Sequence, residues 1–181
     1  MRKYLIPLVL SLTLLCGCSR GAEESFARFI GTVAAAEDLS FTAEIRAEYD
    51  DRTLSFKLGY EQDAEGAVIE VVEPELIAGI KARVRSDAVT LEYDGALLDL
   101  GSLTGDGISP LSSLPLLIET LRGSHIEMTW EENGLLAARL IPRDGIAVTL
   151  YITDELIPVS AEISSGEKTV VFINISDWEL K

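Results

Sequence analysis

Residues 39–60 read LSFTAEIRAEYDDRTLSFKLGY, and the period of their apolar positions decides the fold. Phe41, Ala43, Ile45 and Tyr49 fall on one side and Thr42, Glu44, Arg46 and Glu48 on the other, the pattern of a strand with one dry face. Asp50-Asp51 supplies a turn, after which Leu54, Phe56, Leu58 and Tyr60 repeat the alternation against Ser55 and Lys57. The stretch is an antiparallel hairpin that buries one surface.

The same period runs outward through most of the chain. Gln62 to Gly66 turns again and Ala67 to Val72 forms the next strand, until Pro74, which cannot donate to a ladder, breaks it. Gly79 ends a single helical turn. Lys81 to Arg85, Val89 to Tyr93 and Ala96 to Leu100 give three short strands, the last two joined by Asp94-Gly95, a strong hairpin signal. After a glycine-rich loop from Gly101 to Ser109, Ser109-Pro110 reads as an N-cap with proline at the first helical position. Leu111, Leu114, Ile118 and Leu121 form the apolar stripe of that helix, and Arg122-Gly123 closes it. Strands follow at Ile126 to Glu131, Leu135 to Leu140, Ile146 to Thr153, Val159 to Ser164 and Thr169 to Trp178. At the other end, Glu23 to Glu37 reads as an amphipathic helix, with Phe26, Phe29, Ile30 and Val33 at helical spacing and Glu23 and Glu24 in its first turn. No βαβ alternation is present. The fold class is mainly β (α+β): a single antiparallel sheet of about 11 strands curled into an incomplete barrel, with the N-terminal and central helices covering its concave face.

Ahead of this domain, Arg2 and Lys3 precede an apolar run from Tyr4 to Leu15, and the run ends in Leu15-Cys16-Gly17-Cys18. The layout is that of an export signal, too short for the roughly 20 apolar residues of a membrane span. It resembles bacterial lipoprotein signal peptides. Gly17 before Cys18 is a good small-residue site, whereas Leu15 before Cys16 is a poor one. The resemblance implies cleavage after residue 17, a diacylglyceryl group on Cys18 and acylation of the new amino terminus by a fatty acid such as palmitate. Residues 1–17 are then the signal peptide, 18–22 the lipidated N-terminus and tether, and 23–181 the domain. The expected location is outside the cytoplasm, held by lipid to the outer face of the cytoplasmic membrane or to an outer membrane.

Composition narrows the function. The chain carries 15 basic and 30 acidic residues, a net charge of −15, and the leader holds two of the basic ones and none of the acidic. The remainder therefore sets 13 basic against 30 acidic groups, a charge of −17. Nucleic-acid binding needs the opposite balance, because affinity comes from neutralising phosphates. Both cysteines lie at or before residue 18 and His125 is the only histidine, which leaves no thiol nucleophile, disulfide, zinc-thiolate or histidine metal cluster in the domain.

The order of elements carries a second resemblance. A helix, strands with an embedded Pro-Glu-Leu-x-x-Gly-Ile turn (Pro74 to Ile80), the Tyr93-Asp94-Gly95 hairpin, a central helix and a terminal meander together resemble the LolA/LolB-like family. That resemblance implies an incomplete β-barrel whose helix-covered face leaves an apolar cavity for acyl chains. Soluble carriers of the family place an arginine inside the barrel. Arg46, the obvious counterpart on the first strand, alternates onto the polar face here, so that role is not carried over. An anchored chain on a short tether could receive, hold or present lipid, but not ferry it across an envelope.

Catalytic patterns are weak. His125 groups with Glu127 and Thr129 on the polar side of its strand, opposite Ile126, Met128 and Trp130, and no Gly-x-Ser-x-Gly elbow accompanies it. Glu73 with Glu75, and Glu131 with Glu132, are neighbours expected among 30 acids. Gly105-Asp106-Gly107 lacks the strand-glycine-helix setting of a phosphate loop. No enzyme activity, cofactor or metal site is expected. The expected cavity lining is Phe41, Ile45, Phe56, Leu58, Leu91, Leu114, Ile118, Met128, Trp130, Leu150 and Ile173. Two functions fit the reading: an anchored module that binds lipid or lipoprotein acyl chains, or a non-catalytic accessory lipoprotein that binds an envelope, sporulation or germination enzyme through its surface.

Overall fold

A computed structural model describes residues 18–85, 88–102 and 108–181, with side chains at all of these except 18–20 and 100–102. The signal peptide read at residues 1–17 and the Gly105-Asp106-Gly107 loop lie outside the described residues. Helix α1 (Cys18–Ala35) leads into β1 (Leu39–Glu48), β2 (Thr53–Asp63), β3 (Gly66–Glu73), a 3-10 turn (Glu75–Ile77), β4 (Lys81–Arg85), β5 (Ala88–Tyr93) and β6 (Ala96–Ser102). Helix α2 (Pro110–Gly123) then precedes β7 (Ile126–Glu132), β8 (Leu135–Arg143), β9 (Ile146–Ile152), β10 (Pro158–Ser165) and β11 (Lys168–Leu180).

All eleven strands join one antiparallel sheet in the order β6-β5-β4-β3-β2-β1-β11-β10-β9-β8-β7. Two meanders, β1 to β6 and β7 to β11, meet where β1 pairs with β11, and α2 carries the chain from one free edge to the other. The sheet stays open between β6 and β7. This is the half-barrel that the order of elements resembles.

Local chemistry explains the turns. Asp63 Oδ1 accepts from the amides of Glu65 and Gly66, at 2.7 and 3.2 Å, and so ties the β2–β3 hairpin. Gly66 sits at φ 143°, and a Cβ there would collide with the carbonyl oxygen of Val84. At α2, Ser109 Oγ accepts from the Ser112 amide while Ser112 Oγ accepts from the Ser109 amide, a reciprocal cap just ahead of Pro110.

Helix α1 corrects one expectation. Its described residues run from Cys18, so Ser19 to Ala22, read as a tether, are helical. Ala22 is buried, and its packing holds the helix through Gly21 despite the cost of about 1 kcal/mol that glycine carries relative to alanine.

Candidate functional site

The inner face of the half-barrel is built by the alternation seen first in β1. Phe41, Ala43, Ile45 and Ala47 are all buried, and their cross-strand partners on β2 include Tyr60, Leu58 and Phe56. Helix α1 contributes Phe26, Phe29 and Val33, and α2 contributes Leu114, Leu117, Ile118 and Leu121. Helix α1 packs against β7, β8 and α2, and α2 packs against β8 and β1.

Five aromatic rings make a continuous line from sheet to helix. Tyr60 stacks on Phe41 at 4.9 Å, Phe41 meets Trp178 at 5.3 Å, Trp178 meets Phe29 at 6.2 Å, and Phe29 meets Phe26 edge-on at 6.4 Å. Trp178 reaches this line because β11 carries an irregularity opposite Ser40 and Thr42, with Asp177 at φ 53°. Burial pushes the Tyr60 phenol far above its ordinary range, and its hydroxyl donates to Gln62 Oε1 at 3.0 Å.

Nearby, Arg122 in the last turn of α2 donates from Nη2 to the Ala36 carbonyl at 3.2 Å, while its buried Nε has no partner. One guanidinium therefore serves the carboxyl ends of both helices, where the dipoles favour a cation.

One inner row leads from this core to the open edge. Tyr60, Ile69, Ala82, Leu91 and Leu98 are successive partners across β2, β3, β4, β5 and β6. Tyr60, Ile69 and Ala82 are buried, Leu91 is half-buried, and Leu98 is 59% exposed. Tyr93, two residues beyond Leu91 on the same face, is 52% exposed. At the same end of the strands, the 3-10 turn holds Leu76 at 91% exposure.

Of the residues expected to line a cavity, Phe41, Ile45, Leu58, Leu114, Ile118, Leu150 and Ile173 come together as a buried cluster, and Phe56 and Leu91 pack partly buried at its margin. Met128 and Trp130 do not join them. A bulge between Ile126 and Met128 inserts one residue into the β7–β8 ladder, which reverses the face of every side chain after it. Ile126 stays inside opposite Leu140, but Met128 pairs with Arg139 and Trp130 with Ala137 on the outer face. Thr129, read as polar and outward, instead pairs with the core residue Ala138.

His125 is exposed. Arg46 points outward as read, paired with Glu48 at 3.2 Å and lying 4.4 Å over the ring of Phe172. Cys18 is the first residue of α1. Tyr93, Leu98 and Leu76 at the open end, and Trp178 and Arg122 within, are absent from the sequence reading of the site. The Asp94-Gly95 turn carried the signal for Leu98, because a two-residue hairpin sets Leu91 opposite it.

Among the described residues, no group of three or more His, Cys, Asp or Glu side chains is arranged to hold a metal, and no helix is long and apolar enough to cross a membrane. No protein-family model and no curated protein matches the chain. Among solved structures, the chain is similar to an uncharacterized conserved protein from Thermus thermophilus, at 11% identity over 86% of each chain with a TM-score of 0.51. It is similar to a DUF1329 family protein from Desulfovibrio piger, at 11% identity over 90% of this chain and 93% of the other, with a TM-score of 0.50. A LolA superfamily protein from Nitrosomonas europaea follows at 9% identity, over 86% of this chain and 93% of the other, with a TM-score of 0.43. At such identities, the first two show a shared fold and nothing finer.

Proposed function

We propose that this chain is an exported lipoprotein, anchored through Cys18, whose half-barrel takes up an acyl chain at the end of its inner face that the helices leave uncovered. The observation that supports the reading is the row Tyr60-Ile69-Ala82-Leu91-Leu98, which passes from full burial to open surface without a polar residue. A core normally ends in a polar margin. Here it ends in Leu91, Tyr93 and Leu98, with Leu76 exposed in the turn at the same end of the strands.

Binding there requires no bond to be made or broken, and the role is that of a binding module rather than an enzyme. An acyl chain laid along the row replaces water at about 25 cal/mol for each Å² of apolar surface covered. Acyl chains on Cys18 keep the module at one membrane face, each buried methylene contributing about 0.8 kcal/mol.

Native mass spectrometry of the purified protein, together with titration of a fluorescent fatty acid, tests the binding. A co-purified acyl mass and saturable uptake are expected, and repeated absence of both overturns the reading. The anchor has its own test: metabolic labelling with an alkyne palmitate is lost in Cys18→Ala and kept in Cys16→Ala. Labelling that survives in Cys18→Ala refutes the assignment.

A further inference from the structure

The bulge that turns Met128 and Trp130 out of the core creates a surface of a different kind. Register places Trp130, Ala137, Tyr151, Ser160 and Asn174 in one outer row, and Met128, Arg139, Thr149, Glu162 and Phe172 in the next. The Trp130 and Tyr151 rings meet edge-to-face at 6.4 Å and 85°, and Ala137 between them is fully buried. Covering Ala137 accounts for the two rings being half-buried. It does not account for Met128, which stands 53% exposed in the adjoining row.

Carboxylates surround these side chains. Glu132 Oε2 accepts from Trp130 Nε1 at 3.0 Å, and burial, followed by the charges of Glu162 and Glu132, raises the Tyr151 phenol above its ordinary range. Glu127 takes up the one cation of these two rows, Arg139, at 3.0 Å.

The other half of the outer face is balanced differently. There Lys81 pairs with Glu70, Arg83 with Glu92 and Arg85 with Glu65, all within 3.1 Å. At the border between the halves, the chain already seats one guanidinium on an aromatic ring of this face, Arg46 on Phe172.

The geometry points to the outer face of β7–β10 around Met128, Trp130 and Tyr151 as a docking surface for a Lys- and Arg-bearing segment of a partner protein. Three features select that occupant. Aromatic faces attract cations. Met, Trp and Tyr are the residue types that anchor protein interfaces. The surplus of carboxylates, Glu132 and Glu162 beside a single arginine already paired with Glu127, complements a basic segment and repels an acidic one. This surface lies on the opposite side of the sheet from the acyl-binding row and does not depend on it.

The test is an amide and indole NMR titration of the protein with the capped pentapeptide Arg-Lys-Leu-Lys-Arg, run against the capped Gln-Gln-Leu-Gln-Gln. Salt is held at about 0.15 M, where the Debye length is about 8 Å and diffuse attraction to an acidic chain is damped. Saturable shifts at the Trp130 indole and the β7–β10 amides are expected for the basic peptide alone. Glu132→Gln with Glu162→Gln is expected to weaken binding about fivefold, on the order of two exposed ion pairs. Trp130→Ala should weaken it as well. Should that variant fail to fold, the charge pair, which alters only surface groups, carries the test. Glu61→Gln with Asp63→Asn, removing acids elsewhere on the surface, should leave affinity unchanged. Equal weakening by the two charge pairs, shifts centred on Glu61 to Asp63, or no saturable binding each overturns the proposal.

Discussion

Met128 shows how much one inserted residue decides. Strict alternation places it in the core with Ile126, while the bulge in β7 sets it on the surface opposite Arg139. Met128→Gln should therefore change stability by no more than about 0.5 kcal/mol, the ordinary range for a surface change. Leu114→Ala, which empties a fully buried site in α2, should cost about 2–5 kcal/mol, and urea unfolding of both variants checks the contrast.

Tyr60 gives a second expectation at this scale. Its folded pKa is raised by burial, so its contribution to stability is intact below the unfolded value of about 10 and is lost as pH rises through and above it. Unfolding free energies measured across that range should fall more steeply for the parent than for Tyr60→Phe. Identical slopes would show that the hydroxyl ionises freely in the fold.

The helices and strands carry their own tests. The Ser109 cap closes the amino end of α2, which lies in the connection between the two free edges of the sheet, and Ser109→Ala should lower stability by about 1 kcal/mol in urea unfolding. At the β11 irregularity, Asp177 holds a left-handed backbone at φ 53° so that Trp178 can turn inward. Asp177→Val should cost about 1–2 kcal/mol and Asp177→Gly much less, because a β-branched side chain is strained there and glycine is not. Tryptophan emission reports whether Trp178 stays packed.

Element type was legible wherever the apolar period was long. The alternation from Leu39 to Tyr60 predicts β1 and β2, and Ser109-Pro110 with the leucine stripe predicts α2 over the residues it occupies. That Ser19 to Ala22 are helical was not legible, since Gly21 argues locally against helix and the burial of Ala22 offsets it. Neither was the phase of β7, because a bulge has no composition of its own.

At the scale of the whole molecule, the open sheet leaves its inner face exposed at one end. Leu98→Glu should lower fatty-acid uptake by several-fold, with unfolding unchanged within about 0.5 kcal/mol, since Leu98 is already exposed. Uptake unaffected by that change would move the entry point away from the β5–β6 hairpin.

The sequence by itself determined the strands and their turns, both helices, the acidic surplus, and the dry face of β1 and β2. Those properties follow from residue type and from spacing along a few neighbouring positions. Only the tertiary structure decided that the two meanders join through β1 and β11, that the inner row runs out to an exposed Leu98, and that Met128 and Trp130 face outward. Each of these depends on which strands become neighbours and in what register, and a single extra residue in one strand is enough to exchange inside for outside.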